Sequence, residues 1–463
     1  MKRLFDDIEG VYFIGIGGIG MSALAEYFIR KNILVAGYDR TNTAITEMLI
    51  AQGCEISFDD DVKTIHERFR TNSDGLLIVY TPAIPVDNNI FSYFKTNGFK
   101  MNKRSEILGQ ISKVTDAVAV AGTHGKTTVS TMTAHILRCS GIDCSAFLGG
   151  ISKNYGSNLL VGESKLAVME ADEFDRSFHR LSPMNAIITA TDADHLDIYG
   201  TTENMLEGYS VFCEKIRKGG TLIINKKVVG KIRVPENINF YTYGMEKDVD
   251  YRCFDVRFKG DSYTFNIMTP EGPINNIVFN FLGMTNVENF TAATALALNS
   301  GATEEGIRKA AETFSGVKRR FDVRIDVPGL TYVDDYAHHP EEIKSCINSL
   351  LGYYGDRRIT GVFQPHLYSR TLEHYDGFAE VLDKLDEVIL LPIYPAREKP
   401  IPGVSSELIL NHMKLANKRL VAKEDLLDTL NVSNLDVLVT IGAGNIDTLV
   451  APIEEKLRRE RGI

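Results

Sequence analysis

The sequence predicts an α/β protein of three successive blocks, and three observations carry that prediction. Short apolar runs alternate with stretches of helical periodicity, the pattern of buried parallel strands joined by crossover helices. Two of these runs lead directly into glycine-rich turns. The chain has 463 residues, a length that suggests two to four domains rather than one core.

The first block covers about residues 1–110. A strand is expected at 11–16, a helix at 19–30, a second strand at 33–39, and further strands at 55–58 and 75–80. The second block covers 111–317, with a strand at 116–122 feeding a helix at 126–140 and buried strands at 166–172 and 185–190. Looser alternation over 251–268, interrupted by Lys259-Gly260-Asp261, predicts a hairpin. An alanine-rich helix at 286–300 stops at Gly301. The third block, 318–463, has strand patterns at 331–336, 359–364, 387–393 and 436–441, with helices between. No repeat, low-complexity tract or flexible linker interrupts the three.

Composition narrows the chemistry. Hydrophobic residues make up 44% and charged residues 24%, as in ordinary soluble proteins. The net charge of −10 repels polyphosphate at long range, so no nucleic-acid partner is expected and any anionic ligand must be held locally. Six cysteines without a CxxC pair read as thiols of a reducing compartment. MKRLFDDIEG has no secretory apolar segment, and the apolar stretch 11–29 is broken by glycines and Glu26. No membrane span is expected, and the expected location is cytoplasmic.

Gly15-Ile16-Gly17-Gly18-Ile19-Gly20 matches GxGxxG between a strand and a helix. Such glycines let backbone approach a pyrophosphate, and Asp39, at the end of the next strand, is placed to accept from a ribose or a base. On this loop alone NAD leads, with another nucleotide diphosphate or a purely structural turn as alternatives. Ala121-Gly122-Thr123-His124-Gly125-Lys126-Thr127-Thr128 is a P-loop with a departure: Val120 stands where the full pattern has glycine. The working parts survive, namely small residues around phosphate, Lys126 for the β/γ-phosphates and Thr127 for Mg2+. A simple dehydrogenase would not need this second loop.

Further candidates have a bland reading beside the functional one. Glu170 ends a strand near the P-loop and is placed to hold Mg2+ with Thr127; it could equally belong to a solvated acidic turn with Asp172, Glu173 and Asp175. His195, between Asp194 and Asp197, would ordinarily be a surface histidine. Asn286 and Asn289 share a helix face, although Thr285 or Asn286 could simply cap that helix. Arg320 closes the basic triplet Lys318-Arg319-Arg320, either solvated or placed to reach a γ-phosphate. Tyr336, His338 and Arg370 follow two strands of the third block. There Arg370 suits an amino-acid carboxylate, Tyr336 and His338 can orient an amine, and His338 can take its proton. His339 and His366 read as structural neighbours.

Taken together, Gly15–Ser22, Gly122–Thr128, Glu170-Ala171-Asp172-Glu173, Asp194-His195-Leu196-Asp197, Asn286 with Asn289, Arg319–Asp322, Asp334–Pro340 and Gln364–Thr371 resemble the Mur ligase family, nearest its alanine-adding branch. The resemblance implies a Rossmann-like UDP-binding domain, a central P-loop ATPase domain and a C-terminal Rossmann-like domain that carries the amino acid. It implies ATP-dependent ligation of L-alanine to the lactyl carboxylate of UDP-N-acetylmuramate through an acyl phosphate, with Mg2+, for peptidoglycan precursor synthesis. It places UDP-sugar at Gly15, Gly17, Gly18, Ile19, Gly20 and Asp39. ATP falls at Gly122, Thr123, His124, Gly125, Lys126, Thr127, Thr128, Asn286, Asn289 and Arg320. Metal falls at Thr127, Glu170 and His195, the amino acid at Tyr336, His338 and Arg370, and catalysis at Lys126, Glu170, His195, Arg320 and His338. A tripeptide-recycling ligase acting on the same UDP-sugar is the near alternative. An NAD-dependent oxidoreductase and a P-loop phosphotransferase are more distant ones. The sequence leaves the oligomeric state open.

Overall fold

The computed structural model describes residues 4–85, 87–396 and 398–463, without the side chains of Leu196 and Asp197. Three sheets follow one another along the chain. In the first, Gly10–Ile14 lies at the centre, paired in parallel with Leu34–Tyr38 on one side and Leu76–Tyr80 on the other. Glu55–Ser57 and Met101–Lys103 complete its edges. Every residue of Gly10–Ile14 is buried, as expected for a strand covered on both faces. The helix Ile19–Arg30 has the predicted bounds.

The second sheet has ten strands. Asp116–Ala121 is central, between Leu166–Ala171 and Asn185–Ile188, both parallel to it. Strand order reverses here, so the crevice at the C-terminal end of Asp116–Ala121 is a switch point of the kind where α/β sheets hold ligands. The predicted hairpin forms: Tyr251–Lys259 and Ser262–Thr269 pair antiparallel, and Gly260 supplies the positive φ of 69° in their turn. Gly272–Phe279 extends it.

The alanine-rich helix runs from Met284 to Leu298, two residues earlier at each end than expected. Thr285 and Asn286 therefore lie inside its first turn and neither is the cap. In the third sheet Leu330–Asp335, Val437–Ile441, Ile359–Phe363, Glu387–Leu390 and Lys418–Leu420 are parallel, with Asp322–Val327 antiparallel at one edge.

The contacts group the chain into two compact units. One comprises Met1–Asn280 with Glu288–Ser315, the other Phe281–Val287 with Gly316–Ile463. Within the first unit a single apolar cluster runs from Val11, Phe13 and Phe28 through Ala119, Phe147 and Met169. The first two sheets thus share a core. Five of the six cysteines are buried and none is in a disulfide. Among the described residues no helix is long and apolar enough to cross a membrane.

Candidate active site

The second glycine turn is shaped by crowding. Gly122 has φ 132°, and a Cβ there would overlap Thr189 Oγ1 and the backbone nitrogen of Ala190. Thr189 donates to the carbonyls of Ala121 and His124, tying the turn to the neighbouring strand. Gly125, at φ 81°, is the N-cap of the helix Lys126–Cys139, and no side chain caps that helix. Its first-turn N–H groups therefore have no capping side chain and suit an anion. Asn289 Oδ1 lies 3.1 Å from where a Cβ on Gly125 would stand, which sets this asparagine against the loop. Asn286 does something else: its Nδ2 donates to Leu282 O at 2.6 Å, within the other compact unit.

Glu170 lies in register with Val120, just before the turn. Its Oε1 accepts from Gly149 N at 2.7 Å and from Ser130 Oγ at 3.2 Å. A Cβ on Gly149 would overlap both carboxylate oxygens. The acidic turn after Glu170 is not a solvated face throughout, because Glu173 is fully buried. The turn folds back through positive φ values of 52° at both Asp175 and Arg176. Lys126 Nζ donates to Glu173 Oε1 at 2.9 Å and to its own loop carbonyl, Gly122 O, at 2.6 Å. His195 Nε2 stands 3.8 Å from the same carboxylate oxygen and 3.7 Å from Asp194 Oδ2. His195 takes φ 54°, a strained value for a residue with a side chain. The Asp197 side chain lies outside the described residues.

Charge in this corner is tightly balanced. Burial alone would lower the Lys126 pKa, but the carboxylates of Glu173, Asp172 and Glu170 outweigh it and hold the ammonium above its ordinary value. Burial pushes the Glu173 carboxyl up, against the pull of Lys126 and His195. Removing one partner of such a buried pair typically costs about 3–5 kcal/mol, because a lone buried charge remains.

The first glycine turn carries no cation of its own. Gly18 caps the helix Ile19–Arg30, again without a capping side chain. Asp39 serves the loop itself: Oδ2 accepts from Gly17 N at 2.8 Å and Oδ1 from Thr41 N at 3.1 Å. The positive charge comes from Arg104, which sequence reasoning missed. A Cβ on Gly20 would overlap Arg104 Nη1, and Arg104 Nη2 reaches Asp172 Oδ2 at 3.4 Å. Beside it Lys103 Nζ donates to Asp175 Oδ2 at 2.6 Å. One basic pair thus links the first glycine turn to the acidic turn that follows Glu170. The only signal was a pair of adjacent cations, Lys103 and Arg104, at the start of a helix.

In the second unit the basic triplet divides by task. Lys318 is exposed. Arg319 is tied to Asp334 Oδ2 at 3.2 Å and Gly442 O at 2.6 Å. Arg320 lies 4.9 Å over the Tyr336 ring, between positive-φ residues Arg319 and Phe321. His338 Nδ1 is 3.0 Å from Tyr336 O and 3.4 Å from Glu342 Oε2, and the His338 ring is 6.1 Å from that of His366. Arg370 is in the first turn of Tyr368–Leu382 and 9% exposed. His339 caps the helix Pro340–Tyr354, a structural task as expected.

Asp335, another omission, accepts from Phe321 N at 2.8 Å and Ala337 N at 2.7 Å. Burial raises its pKa to about 6, against the pull of Arg320 and those two amides. The pair Asp334-Asp335 at a strand end was the available signal.

Thr127 and Glu170 supply hydroxyl and carboxylate oxygens, donors that suit a hard cation such as Mg2+. No preassembled group of three His, Cys, Asp or Glu ligands occurs among the described residues.

Three family models match in succession: "Mur ligase family, catalytic domain" at residues 10–115, "Mur ligase middle domain" at 120–297 and "Mur ligase, glutamate ligase domain" at 319–444. The chain is 48% identical to the UDP-N-acetylmuramate–L-alanine ligase of Phocaeicola vulgatus, over 93% of this chain and 94% of that protein. It is 47% identical to the enzyme of that name from Porphyromonas gingivalis, over 97% and 99%. Among solved structures, the UDP-N-acetylmuramate-alanine ligase of Thermotoga maritima superposes with a TM-score of 0.82 at 24% identity, covering 97% of this chain and 99% of that one. A murein peptide ligase from Psychrobacter arcticus gives 0.71 at 20% identity, over 97% and 98%.

Proposed function

The chain belongs to the Mur ligase family, and from that premise we propose that it joins L-alanine to the lactyl carboxylate of UDP-N-acetylmuramate, converting ATP to ADP and phosphate in peptidoglycan precursor synthesis. The relatives at 42–48% identity all bear the alanine-ligase name, which favours this over tripeptide recycling. An oxidoreductase would leave the P-loop, Lys126 and Glu170 without a task.

The observation that carries the reading is the salt link from Arg104, packed on Gly20, to Asp172 in the acidic turn that also bears Glu170 and Glu173. It supports a UDP-sugar held at the first turn within one compact unit with the P-loop. A carboxylate does not condense with an amine in water unless it is activated. Phosphoryl transfer to the lactyl carboxylate makes an acyl phosphate; the amine then attacks the acyl carbon and phosphate leaves. Both steps gather negative charge on phosphoryl oxygens.

Lys126 and the uncapped helix start receive the phosphates, with Gly122, Thr123, His124, Gly125 and Thr128 lining the turn and Asn289 behind it. Thr127 and Glu170, with His195, would hold Mg2+, which supplies charge neutralisation when bound. Gly15, Gly17, Gly18, Ile19 and Gly20 receive the pyrophosphate, with Asp39 fixing the loop. Arg320 answers phosphoryl charge, Arg370 the L-alanine carboxylate, and Tyr336 and His338 the amine. Asn286 is assigned to the nucleoside, for which its Nδ2 would have to leave Leu282 O. Residues 1–110, 111–317 and 318–463 are the corresponding functional blocks.

Phosphate release by the purified protein, with UDP-N-acetylmuramate, ATP or L-alanine omitted in turn, tests the proposal. Sustained release is expected only with all three present. ADP and a stable phosphorylated product without amine would point to a phosphotransferase, and faster turnover with tripeptide than with L-alanine to the recycling reaction.

A further inference from the structure

Glu173 has no part in the chemistry assigned above, yet it sits at the centre of the P-loop corner. It is completely buried. Its Oε1 holds the Lys126 ammonium at 2.9 Å, with His195 Nε2 3.8 Å away. Its Oε2 is buried and has no hydrogen-bond partner among the described residues. An unsatisfied, buried carboxylate oxygen is expensive, and native structures retain one where something else completes it.

Lys126 is meanwhile turned inward, onto Glu173 and the carbonyl of Gly122. In that position its ammonium is spent on the protein. A nucleotide arriving at the helix start would compete with Glu173 for Lys126, and its γ-phosphate would face an anion.

We infer that Glu173 is a positioning residue that exchanges partners: it holds Lys126 inward before nucleotide binds, and takes up the divalent cation accompanying ATP when Lys126 turns to the phosphates. The inference rests on the ATP-dependent reading of this loop. It goes beyond that reading by giving Glu173 both tasks. The carboxylate would then bias the loop against metal-free nucleotide and toward the metal complex. The orphan Oε2 and the nearby His195 nitrogen make this exchange chemically balanced, since the charge given up by Lys126 is replaced by the cation.

Binding of a non-hydrolysable ATP analogue to the full chain tests it by titration calorimetry, with chelator and with Mg2+, comparing wild type, Glu173→Gln and Glu173→Asp. For Glu173→Gln, metal-free affinity should rise about three- to tenfold, because the competing charge is gone. The gain from adding Mg2+ should shrink by about tenfold. Mn2+ resonance titrations of the analogue complex should show the same loss of cation affinity, and Glu173→Asp should restore part of it.

Unchanged or weaker metal-free binding with an intact Mg2+ effect would overturn the inference. A single cooperative melting transition and equal UDP-N-acetylmuramate binding certify each variant's fold, at whatever melting temperature the lost ion pair leaves. If Glu173→Gln fails that check, Glu173→Asp alone decides, since a longer reach to both cations must still weaken the Mg2+ effect. If wild type binds no nucleotide at all, the ATP reading fails instead.

Discussion

After the strand Gly10–Ile14 the chain turns on glycines and starts a helix at Ile19; after Asp116–Ala121 it does the same and starts one at Lys126. Both helices begin without a capping side chain. The surroundings differ. The first turn is roomy at Gly18, where the nearest atom to an added Cβ is 3.5 Å away, and it draws its cation from Arg104. The second is crowded at Gly122 and carries its own cation, which Glu173 holds back. Two turns of one backbone plan can therefore answer different anions. On the proposed reading the first receives the pyrophosphate of the UDP-sugar and the second the phosphates of ATP.

The strongest way to break this contrast is Lys126→Ala. Turnover should fall by about 10²–10³, as on loss of a transition-state charge donor, with UDP-N-acetylmuramate binding unchanged by calorimetry. Full turnover in the variant would sink the assignment of the second turn.

The crowding contrast comes next. Gly122→Ala, at φ 132° and in collision with Thr189, should cost about 3 kcal/mol in urea unfolding. Gly18→Ala, at φ −63°, should cost under about 1 kcal/mol. Equal costs would mean that Gly122 is no more tightly held than Gly18.

The helices behind the turns should differ in acid. His135, in the second, is buried between Tyr155 OH at 2.9 Å and Thr313 Oγ1 at 3.0 Å, and burial lowers its pKa from 6.5 to about 4. Below pH 6.5 the unfolded chain binds a proton that the folded chain refuses. Stability is therefore full above that pH and declines as pH falls toward 4. The loss should approach about 2–3 kcal/mol, and His135→Gln should flatten it when denaturant midpoints are compared between pH 7 and pH 4.

A modest effect is expected at Arg104. Arg104→Ala should raise the KM for UDP-N-acetylmuramate about tenfold, roughly 1.4 kcal/mol, and leave the KM for ATP in place. An effect on ATP alone would assign Arg104 to the second turn instead.

Much of this was readable in the chain. The helix Ile19–Arg30 and the hairpin around Gly260 follow from glycine punctuation and periodicity, which are local signals. Strands such as Met101–Lys103 and Leu159–Leu160 are too short to display alternation, and they exist because a neighbouring strand offers hydrogen bonds. The start of the helix at Met284 was misplaced because Thr285 and Asn286 look like caps, while the actual break is Gly283 at φ 97°. In the site, Lys126 and Glu170 announce themselves by motif. Glu173 and Arg104 do not, since one looks like a surface acid and the other like a stray cation. Their importance comes from partners far along the chain, which spacing cannot reveal.

The hydrogen that stands for a side chain at Gly149 has a consequence for how such proteins are recognised. Its backbone nitrogen holds Glu170 at 2.7 Å, and no room is left for even a methyl group. A single added carbon there would shoulder the carboxylate aside while leaving every signature of the chain intact. If Glu170 holds the metal as proposed, a homologue with alanine at that place would pass any motif scan and still lose that carboxylate's placement.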